Sequence, residues 1–388
     1  MPGMASPADP GQVELSSSLG GRMVAAWVTV TLIGLCVAAF VASLGACAAQ
    51  SPDPLEVLGS SWWQMESCGP TLDAAGALRL SRLWLDGSWW RVISAGFLHG
   101  SMLHLVLNVW SLWVVGELAE AAWGHARLAV LFLLSSVGGC LASAAWVEAP
   151  MIVGASAGIM GIAGAILVGR LMGRGRVATA LQPLSARVLG GWLVVLVALG
   201  FFIDMIAQAG HIGGLVVGLL LGLGWSRKEA SMVIAGRLGV GMVMTGLLLA
   251  ARQPEGRDGY YQFLGQGLLD RGQDAEAVAA FEIALERSPD DPGLANDLAY
   301  GLAKAGTHLD RAEELVRGAL GAKPEEPAFI DTLGWVLCRR GEREAGMEAL
   351  EKASRLSEGE DEEIEEHRAQ CADASVGELD GVSRETVE

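Results

Sequence analysis

Four polar side chains interrupt otherwise apolar stretches in the first half of this sequence: His104, Asn108, Ser156 and His211, called the polar set below. A serine hydroxyl hydrogen-bonded to a histidine can act as a nucleophile activated by a general base. An amide or a second imidazole can donate hydrogen bonds to the negative charge that such an attack creates. The residue types therefore indicate serine-nucleophile chemistry, provided that the fold brings them together.

The elements that must position the polar set are apolar segments, and about 20 helical residues span a bilayer. Uncharged runs cover 23–48, 92–116, 128–147, 149–169 and 205–226, and 188–203 gives a shorter sixth run. A seventh candidate helix, 230–251, is interrupted by Arg237. The sequence thus predicts an all-α, polytopic transmembrane helical bundle. Six core helices occupy 23–229, the seventh follows, and residues 1–22 form a flexible N-terminus.

Composition divides the chain into two physically different halves. The whole chain is 52% hydrophobic and 18% charged, which is too apolar for one ordinary soluble domain. Residues 252–388 carry 15 Lys/Arg and 32 Asp/Glu, whereas residues 1–251 carry 12 of each, so the net charge of −17 lies in the second half. An acidic domain without a basic surface argues against a nucleic-acid partner.

Basic residues set the orientation of the predicted bundle, because Lys and Arg collect in cytoplasmic loops. With the N-terminus inside, the inner segments hold most of the arginines, and the outer connections near 148 and 204 hold none. The first outer loop, about residues 49–91, breaks this pattern with Arg79, Arg82 and Arg91. Its tryptophans suit the membrane interface: Trp62, Trp63, Trp84, Trp89 and Trp90.

The first apolar segment leaves two alternatives open. It could be a removable signal, and Leu44-Gly45-Ala46-Cys47 resembles a lipoprotein cleavage site, although the 26-residue run is long for a signal core. Cys47 and Cys68 would both face outside and could pair. Buried unpaired thiols are the more common arrangement, so cysteine usage decides little.

Helix direction places the polar set near one face of the bundle. If the first helix runs outward, the even-numbered helices begin at the outer face, near Leu98, Met151 and Ile206. The polar set then falls in their early turns, very roughly 7 Å below the helix starts. Polar groups at one depth in hydrocarbon normally line a water-filled cavity, which favours a functional site.

Each member of the polar set also has a plainer interpretation. A membrane serine can bond its own helix backbone, and a histidine can simply pack between helices. A metal site is a further alternative, but no helix carries His-Glu-x-x-His. His99 and His104 would also point about 140° apart if both were helical.

Glycines on two of these helices favour close backbone contact. The fourth helix carries Gly154, Gly158 and Gly161, and the sixth carries Gly210, Gly214, Gly218 and Gly222. Such contact would hold the Ser156 hydroxyl within hydrogen-bond reach of His211. Packing alone would also select these glycines, so they support the site without identifying it.

Together these residues resemble a known family, the rhomboid intramembrane serine proteases. The similar motifs are Trp89-Trp90-Arg91, Phe97-Leu98-His99-Gly100, His104, Asn108, Gly116, Glu120, Gly124, Gly154-Ala155-Ser156 and Gly210-His211-Ile212-Gly213-Gly214. The resemblance covers about residues 85–226. It implies a dyad without a carboxylate, in which Ser156 is the nucleophile and His211 the general base.

The resemblance implies further roles as well. Asn108 and His104, with the backbone N–H of Ser156, would form the oxyanion hole at the positive end of a helix. A supporting motif would comprise His99, Gly154, Trp90 and Arg91. Asp204 and Glu148 stay outside the catalytic set, and neither a cofactor nor a metal is expected.

Two residues depart from the family pattern. Ala157 follows the nucleophile where glycine is common, and Met160 stands where an aromatic side chain often packs under the catalytic histidine. Methionine can fill such a space as a soft apolar contact. The departures bear on the orientation of the base and on the rate more than on the identity of the site.

The second half has a different period, because Pro289 and Pro324 are 35 residues apart and tetratricopeptide repeats have a period of about 34. Residues 258–357 resemble three such repeats, which implies an α-solenoid of helix pairs. An unrelated helical bundle is the alternative. Residues 358–388 form an acidic tail too charged to bury, and His308 and His367 are interpreted as surface residues.

The resulting hypothesis is an intramembrane serine endopeptidase of a bacterial inner membrane. Its substrates would be transmembrane segments of other proteins, cut near the outer leaflet, and its repeats would bind a protein or peptide ligand. Seven crossings would place the repeats outside the cytoplasm. The alternative is a non-proteolytic membrane-anchored scaffold that binds transmembrane helices and assembles partners through the repeats.

Overall fold

The computed structural model of the chain describes residues 26–62, 68–147, 149–199, 207–227, 229–257, 259–357 and 361–373. Several sequence-based expectations lie outside the described residues, namely those for residues 1–22, Trp63, Glu148, Asp204, Ile206, Lys228 and the tail beyond residue 373. The chain divides into two compact units, Met1–Pro254 and Glu255–Glu388. Both consist almost entirely of helices, in agreement with the predicted all-α class.

The first unit contains the apolar helices. In chain order its helices are α1 (Trp27–Gln50), α2 (Pro54–Ser60), α3 (Gly69–Ala75), α4 (Leu80–Leu85), α5 (Arg91–Ser94), α6 (Met102–Trp123), α7 (His125–Trp146), α8 (Ser156–Met172), α9 (Arg176–Leu181), α10 (Ala186–Leu199), α11 (Gln208–Ser226) and α12 (Ala230–Ala251). Within the described residues, five are long and apolar enough to cross a membrane: α1, α6, α7, α11 and α12. The shorter helices α8 and α10 are apolar too. These helices support a polytopic helical bundle, and the number of membrane crossings stays a prediction.

The centre of this unit is the contact between α8 and α11. A Cβ atom on Gly214 would overlap the backbone of Ala157, and one on Gly218 would overlap the backbone of Gly161. Glycine is therefore required at both positions, because any side chain would separate the two helices. Helix α7 completes this core, since a Cβ atom on Gly139 would lie 2.6 Å from the carbonyl oxygen of Gly210.

A small antiparallel sheet, which the sequence analysis did not predict, joins the first loop to the segment before Ser156. Strand β1 (Leu78–Arg79) pairs with β2 (Met151–Ile152), and Leu78 lies opposite Ile152. The backbone N–H of Leu80 donates to the carbonyl of Pro150 at 3.0 Å. The first loop thus contributes directly to the segment that leads into α8.

One carboxylate accounts for the arginines that break the positive-inside pattern in the first loop. Asp73 is only 5% exposed and forms ion pairs with Arg79, Arg82 and Arg91 at 3.6, 3.2 and 2.9 Å. Arg91 also donates to the carbonyl oxygens of Asp73 and Ala77, both at 2.7 Å. These arginines form ion pairs within the loop, and of the three only Arg91 is buried.

Glu120 connects α6 to the start of α1. Its buried carboxylate accepts hydrogen bonds from the backbone N–H groups of Val28 and Thr29, both at 3.0 Å, and from the Thr29 hydroxyl at 2.7 Å. These N–H groups lack intrahelical acceptors, because they lie in the first turn of α1. Gly116 lies one turn earlier, where a Cβ atom would overlap the Thr29 side chain.

The cysteines of the first unit follow both arrangements that the sequence left open. Cys47 and Cys68 form a disulfide that ties the C-terminal end of α1 to the start of α3, so the preference for unpaired thiols was wrong for this pair. Cys36 and Cys140 are unpaired and buried. The Cys47–Cys68 bond could not be predicted from the sequence separation of the two cysteines, since it forms only because the first loop folds back onto α1.

The second unit is a series of helix pairs. Its helices are α13 (Tyr260–Leu269), α14 (Asp274–Arg287), α15 (Pro292–Ala305), α16 (Leu309–Ala322), α17 (Pro327–Arg339), α18 (Arg343–Leu356) and α19 (Glu362–Ala372). Each helix packs on the next, and the first helices of successive pairs also contact one another. Small residues permit this packing, as at Gly265, where a Cβ atom would overlap the Phe281 ring. The assignment to tetratricopeptide repeats stays a prediction.

The start of the acidic tail is a docked helix, and the interpretation of His367 as a surface residue was wrong. His367 is 5% exposed, lies 2.9 Å from an Asp331 carboxylate oxygen and stacks on the Trp335 ring at 4.6 Å. A disulfide between Cys338 and Cys371 joins α17 to α19. The acidic residues lie on the solvent side of α19. The number of charges therefore did not indicate that the opposite face of this helix is buried. His308 is exposed as expected.

Candidate active site

The Nε2 atom of His211 lies 2.8 Å from the Oγ atom of Ser156. Ser156 is the first residue of α8 and His211 the fourth residue of α11, so the close glycine-lined contact between these helices brings the two side chains together. A hydroxyl at this distance can donate its proton to an unprotonated imidazole nitrogen. The pair therefore has the geometry of a nucleophile and its general base.

The start of α8 differs from the sequence-based expectation. The helix begins at Ser156, not near Met151, because Gly154 has a φ of +126° and cannot continue a helix. The N–H of Gly154 donates to the carbonyl of Ala95 at 2.9 Å, which attaches this turn to the residues that follow α5. Ser156 therefore sits at the helix end itself, where backbone N–H groups lack intrahelical acceptors and the dipole is positive.

His104 lies against the same turn. A Cβ atom on Gly154 would be 2.8 Å from His104 Cε1 and 2.9 Å from its Nε2, so the imidazole occupies the space that glycine leaves. Helix α6 begins at Met102, four residues later than expected, and the Ser101 hydroxyl caps it by accepting from the His104 N–H at 3.1 Å. His104 thus reaches the start of α8 from the first turn of α6.

His99 does not lie in a helix, so the argument that it points away from His104 was wrong. The two rings are 5.1 Å apart and meet edge to face. His99 is fully buried, and its Nδ1 atom lies 3.2 Å from the carbonyl of Phe97. His99 packs against His104, and its supporting role stays a prediction.

Asn108 lies one turn below His104 and is 6% exposed. Its Nδ2 atom donates to the His104 carbonyl at 2.9 Å, so one amide hydrogen is used within α6. A second hydrogen remains on the same nitrogen atom. The structure therefore places Asn108 beside His104 without a direct hydrogen bond to Ser156 or His211.

A small cavity opens beside the Ser156–His211 pair. It measures about 20 Å³ and is lined by α7, β2, α8 and α11 residues together with Ala95; the lining includes Cys140, Ser143, Val153, Ser156 and His211. A cavity of roughly 10–15 Å³ or more holds one water molecule when polar partners are present. The space next to the pair is therefore sized for a water molecule.

The second nitrogen of His211 has no partner among the described residues. Its Nδ1 atom is buried and forms no hydrogen bond there. A third group that orients the base, as a carboxylate does in a triad, is therefore not seen in the described part of the chain. Whether Ser156 and His211 act as a catalytic dyad stays a prediction.

The two departures from the family pattern are accommodated by packing. Ala157 fits after Ser156 because Gly139 and Gly214 face it, and a Cβ atom on either glycine would overlap Ala157. Met160 is 5% exposed and packs in an apolar cluster with Leu193 and Leu215. Leu215 lies one turn after His211, so methionine fills the space beside that turn of α11.

Trp90 and Arg91 act on the first loop. Arg91 is bound to Asp73 and Ala77 as described above, and its guanidinium lies 5.0 Å from the Trp90 ring centroid. The Trp90 ring covers Gly76, which has a φ of +103° and no room for a Cβ atom. These residues hold the loop that carries β1, and through β1 they act on the turn before Ser156.

Comparisons with known proteins point to the same family that the motifs resemble. Residues 86–228 match the family described as Rhomboid domain. Rhomboid protease GluP of Bacillus subtilis is 32% identical over 189 residues, which cover 46% of this chain and 35% of that protein. RHOMBOID-like protein 5 of Arabidopsis thaliana is 33% identical over 155 residues, 39% of this chain and 49% of that protein. Rhomboid protease AarA of Providencia stuartii is 29% identical over 165 residues, 37% and 58% respectively.

The matched region spans less than two thirds of each of these relatives. It includes all four members of the polar set and the glycine-rich contact between α8 and α11. With its apolar helices, the chain is an integral multi-pass membrane protein. Residues 86–228 of this chain are therefore similar to a rhomboid domain.

Proposed function

We propose that this protein is an intramembrane serine endopeptidase that cleaves transmembrane segments of other membrane proteins. The observation that carries the proposal is the 2.8 Å contact between Ser156 Oγ and His211 Nε2 within a region similar to a rhomboid domain. Relatives that share this domain are named as rhomboid proteases. Because the pair lies between apolar helices, a substrate segment would reach it from within the membrane.

In the proposed mechanism, His211 Nε2 accepts the hydroxyl proton as Ser156 Oγ attacks the scissile carbonyl carbon. The tetrahedral intermediate collapses when the same nitrogen returns the proton to the leaving amine, which leaves an acyl group on Ser156. A water molecule then attacks the acyl carbon while His211 takes one of its protons. The second tetrahedral intermediate collapses by breaking the bond to Ser156 Oγ, to which His211 returns the proton, and the carboxylic acid product leaves. The cavity beside the pair would hold this water.

The oxyanion of each tetrahedral intermediate would be stabilised at the start of α8. The backbone N–H of Ser156 is the first donor, because it lies in the first turn of that helix. The His104 imidazole, packed on Gly154, and the second amide hydrogen of Asn108 are the further donors that we propose. One such donor contributes about 3 kcal/mol of transition-state stabilisation.

We further propose that α12 crosses the membrane, so that the second unit follows on the side of the first loop. The Trp84 Nε1–H of that loop donates to the carbonyl of Ala251 at 3.2 Å, and the Arg252 guanidinium lies 5.3 Å from the Trp89 ring. Both contacts place the end of α12 beside the loop. Positive-inside counting assigns the loop to the outer face of a bacterial inner membrane.

Disulfide bonds support the same placement of the second unit. Such bonds persist in oxidising compartments and are rare in the cytosol. The Cys47–Cys68 pair lies on the first-loop side, and the Cys338–Cys371 pair lies in the second unit. Both units would therefore expose their disulfides to the same oxidising side of the membrane.

The helix pairs of the second unit favour a protein-binding role. Stacked pairs of antiparallel helices with small residues at their contacts are typical of tetratricopeptide arrays. We propose that this unit binds a protein or peptide ligand and thereby brings substrates to the protease. The proposed reaction at Ser156 depends neither on this role nor on the assignment of the second unit to tetratricopeptide repeats.

A direct test incubates the purified full-length protein in detergent or nanodiscs with a fluorophosphonate probe and with a labelled transmembrane substrate. Labelling of Ser156, identified by peptide mass spectrometry, together with cleavage of the substrate, would support the protease. A protein that binds transmembrane helices but is neither labelled nor active would instead be a membrane-anchored scaffold. A soluble serine protease treated in parallel verifies the probe.

A further inference from the structure

Two backbone carbonyls of the first loop cap the start of α6. This helix begins at Met102, and the N–H groups of its first residues have no acceptor within the helix. The Met102 N–H donates to the carbonyl of Ser61 at 2.7 Å, and the Leu103 N–H donates to the carbonyl of Trp62 at 3.2 Å. These two hydrogen bonds, called the loop cap below, attach the first turn of α6 to the first loop.

The loop cap lies next to the part of the site that we assign to the oxyanion. His104 is the third residue of α6 and directly follows the two capped residues. Its own N–H donates to the Ser101 hydroxyl at 3.1 Å, and its ring fills the space left by Gly154. A shift of the first turn of α6 would therefore move the His104 ring relative to the start of α8.

A disulfide closes the segment that provides the loop cap. Cys47, near the end of α1, is bonded to Cys68, just before α3, and both carbonyls of the loop cap lie in the chain between them. The two cysteines are buried, at 5% and 1% exposure. A cross-link reduces the number of conformations of the chain that it encloses. The disulfide thus restrains the position of the two capping carbonyls.

The enclosed segment has few other means of holding that position. Apart from the loop cap, the hydrogen bonds that residues 51–62 form with described residues join groups at most four positions apart. Val57 belongs to the same buried cluster as Cys47, Cys68 and Leu105 of α6. Helix α1 packs on α6, so the disulfide ties the segment to a helix that is itself held against α6.

We propose that the Cys47–Cys68 disulfide positions His104 through the loop cap, and that the site reaches its full turnover number only with this bond closed. The inference rests on the proposed proteolytic function. Neither cysteine touches the reacting atoms, so both are positioning residues. Helix α3 also packs on α1 through Leu72 and Ala39, and for this reason the loss of the bond should displace the loop without unfolding the unit.

The first test removes the bond from the full-length protein in nanodiscs. In Cys47→Ala/Cys68→Ala, kcat for a labelled transmembrane substrate should fall at least fivefold and KM should stay within twofold, because an oxyanion donor acts mainly in the transition state. Cys338→Ala/Cys371→Ala removes the other disulfide and is the matched control, with kcat within twofold of the wild type. All assays are run well below the unfolding temperature of every variant.

A double-mutant cycle with His104→Ala separates positioning from general stability. If the disulfide acts through His104, its removal in the His104→Ala background should lower kcat by less than twofold. The rate of fluorophosphonate labelling repeats the cycle for variants that turn over slowly. Loss of the disulfide by the same factor in both backgrounds would indicate a purely structural role and would overturn the proposal.

Met102→Pro tests the loop cap with the disulfide intact. Proline has no N–H and fits the first position of a helix, and Ser101 before it is already extended. We expect kcat to fall at least fivefold. Met102→Ala keeps the N–H, is the matched control and should stay within twofold of the wild type. Equal kcat values for the two variants would remove the loop cap from the proposal.

Hydrogen exchange tests the same link without any measurement of proteolysis. The Met102 and Leu103 N–H groups are protected by the loop cap and not by α6 itself. They should exchange at least tenfold faster in Cys47→Ala/Cys68→Ala than in the wild type, and at the wild-type rate in Cys338→Ala/Cys371→Ala. Unchanged exchange in the first variant would overturn the inference. Faster exchange in a protein whose wild type neither cleaves nor is labelled would show that the proteolytic function is wrong and that the disulfide still positions α6.

Discussion

The imidazole of His211 and the hydroxyl of Ser156 meet at 2.8 Å although 55 residues separate them in the chain. Their approach depends on backbone contact between α8 and α11, where Gly214 and Gly218 leave no space for a Cβ atom. The glycines that hold the helices together thus also set the distance between the two reactive atoms. The same glycines therefore determine both the packing of α8 on α11 and the hydrogen bond between Ser156 and His211.

Ser156→Ala and His211→Ala should each abolish cleavage of a transmembrane substrate and leave the fold intact. Both residues act in one nucleophile-base unit, so the loss of either removes most of the rate. Cleavage is measured by gel mobility of a labelled substrate, and folding by thermal unfolding in detergent. Ser231→Ala, on the exposed start of α12, serves as the control and should remain active. Wild-type cleavage by Ser156→Ala would remove this residue from the catalytic role.

Gly154→Ala should lower activity at least about tenfold while most of the fold persists. A side chain at a φ of +126° is strained, and its Cβ atom would fall 2.8–2.9 Å from the His104 ring. Displacement of His104 would impair the proposed oxyanion site. The rate of fluorophosphonate labelling reports this change without a substrate. Gly34→Ala in α1, where nothing lies within 4 Å, is the control, and equal labelling rates for the two variants would contradict the prediction.

Asn108→Ala should slow turnover by about 10- to 1,000-fold with little change in KM, because an oxyanion donor acts mainly in the transition state. The structure makes this prediction sharper, since one amide hydrogen already serves the His104 carbonyl. If that bond is the whole role of Asn108, the variant will lose thermal stability and keep its turnover number. Separate measurement of kcat, KM and the unfolding temperature distinguishes the two results.

Much of the membrane core was predictable because its signals are local. Apolar runs, glycine spacing and polar residues in early helical turns placed Ser156 and His211 on adjoining helices. The predicted start of α8 near Met151 was wrong because the uncharged residues there are as compatible with a helix as with a strand. The chain instead forms β2 at this point by pairing with distant Leu78–Arg79. A strand of two residues has no periodicity of its own.

Contacts between distant residues account for the other misses. The convergence of three arginines on Asp73 and the disulfide between Cys338 and Cys371 depend on how loops return, which spacing does not show. His367 was misjudged because its neighbours in the chain are acidic, although Trp335 and Asp331 of another helix enclose it. Ile364, His367 and Cys371 are spaced by three and four residues, so they lie on one face of a helix. This spacing was the available signal that His367 is buried.

Asp297→Asn should stabilise the second unit at pH 7.5 and have little effect near pH 4. Burial raises the pKa of the Asp297 carboxyl to about 6, and the hydrogen bond from Gln262 offsets only part of that shift. The folded state therefore binds the proton more tightly than the unfolded state, and stability falls as pH rises from the unfolded pKa of about 4 through 6. A neutral asparagine avoids this loss of about 1–3 kcal/mol.

Hydrogen exchange of the full-length protein measures this effect locally. Peptides within Tyr260–Ala305 should exchange more slowly in Asp297→Asn than in the wild type at pH 7.5, and the difference should shrink at lower pH. Asp290→Asn removes an exposed carboxylate from the same unit and is the matched control. Faster exchange in Asp297→Asn at pH 7.5 would show that the charged carboxylate is stabilising and the assigned sign is wrong.

The side of the membrane that holds the second unit can be determined from its disulfide. If α12 crosses the membrane and the unit lies outside the cytoplasm, Cys338 and Cys371 should stay oxidised in intact cells and react with a maleimide only after reduction. A version in which the other four cysteines are replaced by alanine makes the readout specific to this pair. A tag after Glu388 should in parallel be accessible to protease without permeabilisation of the inner membrane. Thiols that react before reduction, combined with a shielded tag, would place the unit in the cytoplasm, where it would meet the opposite end of a substrate.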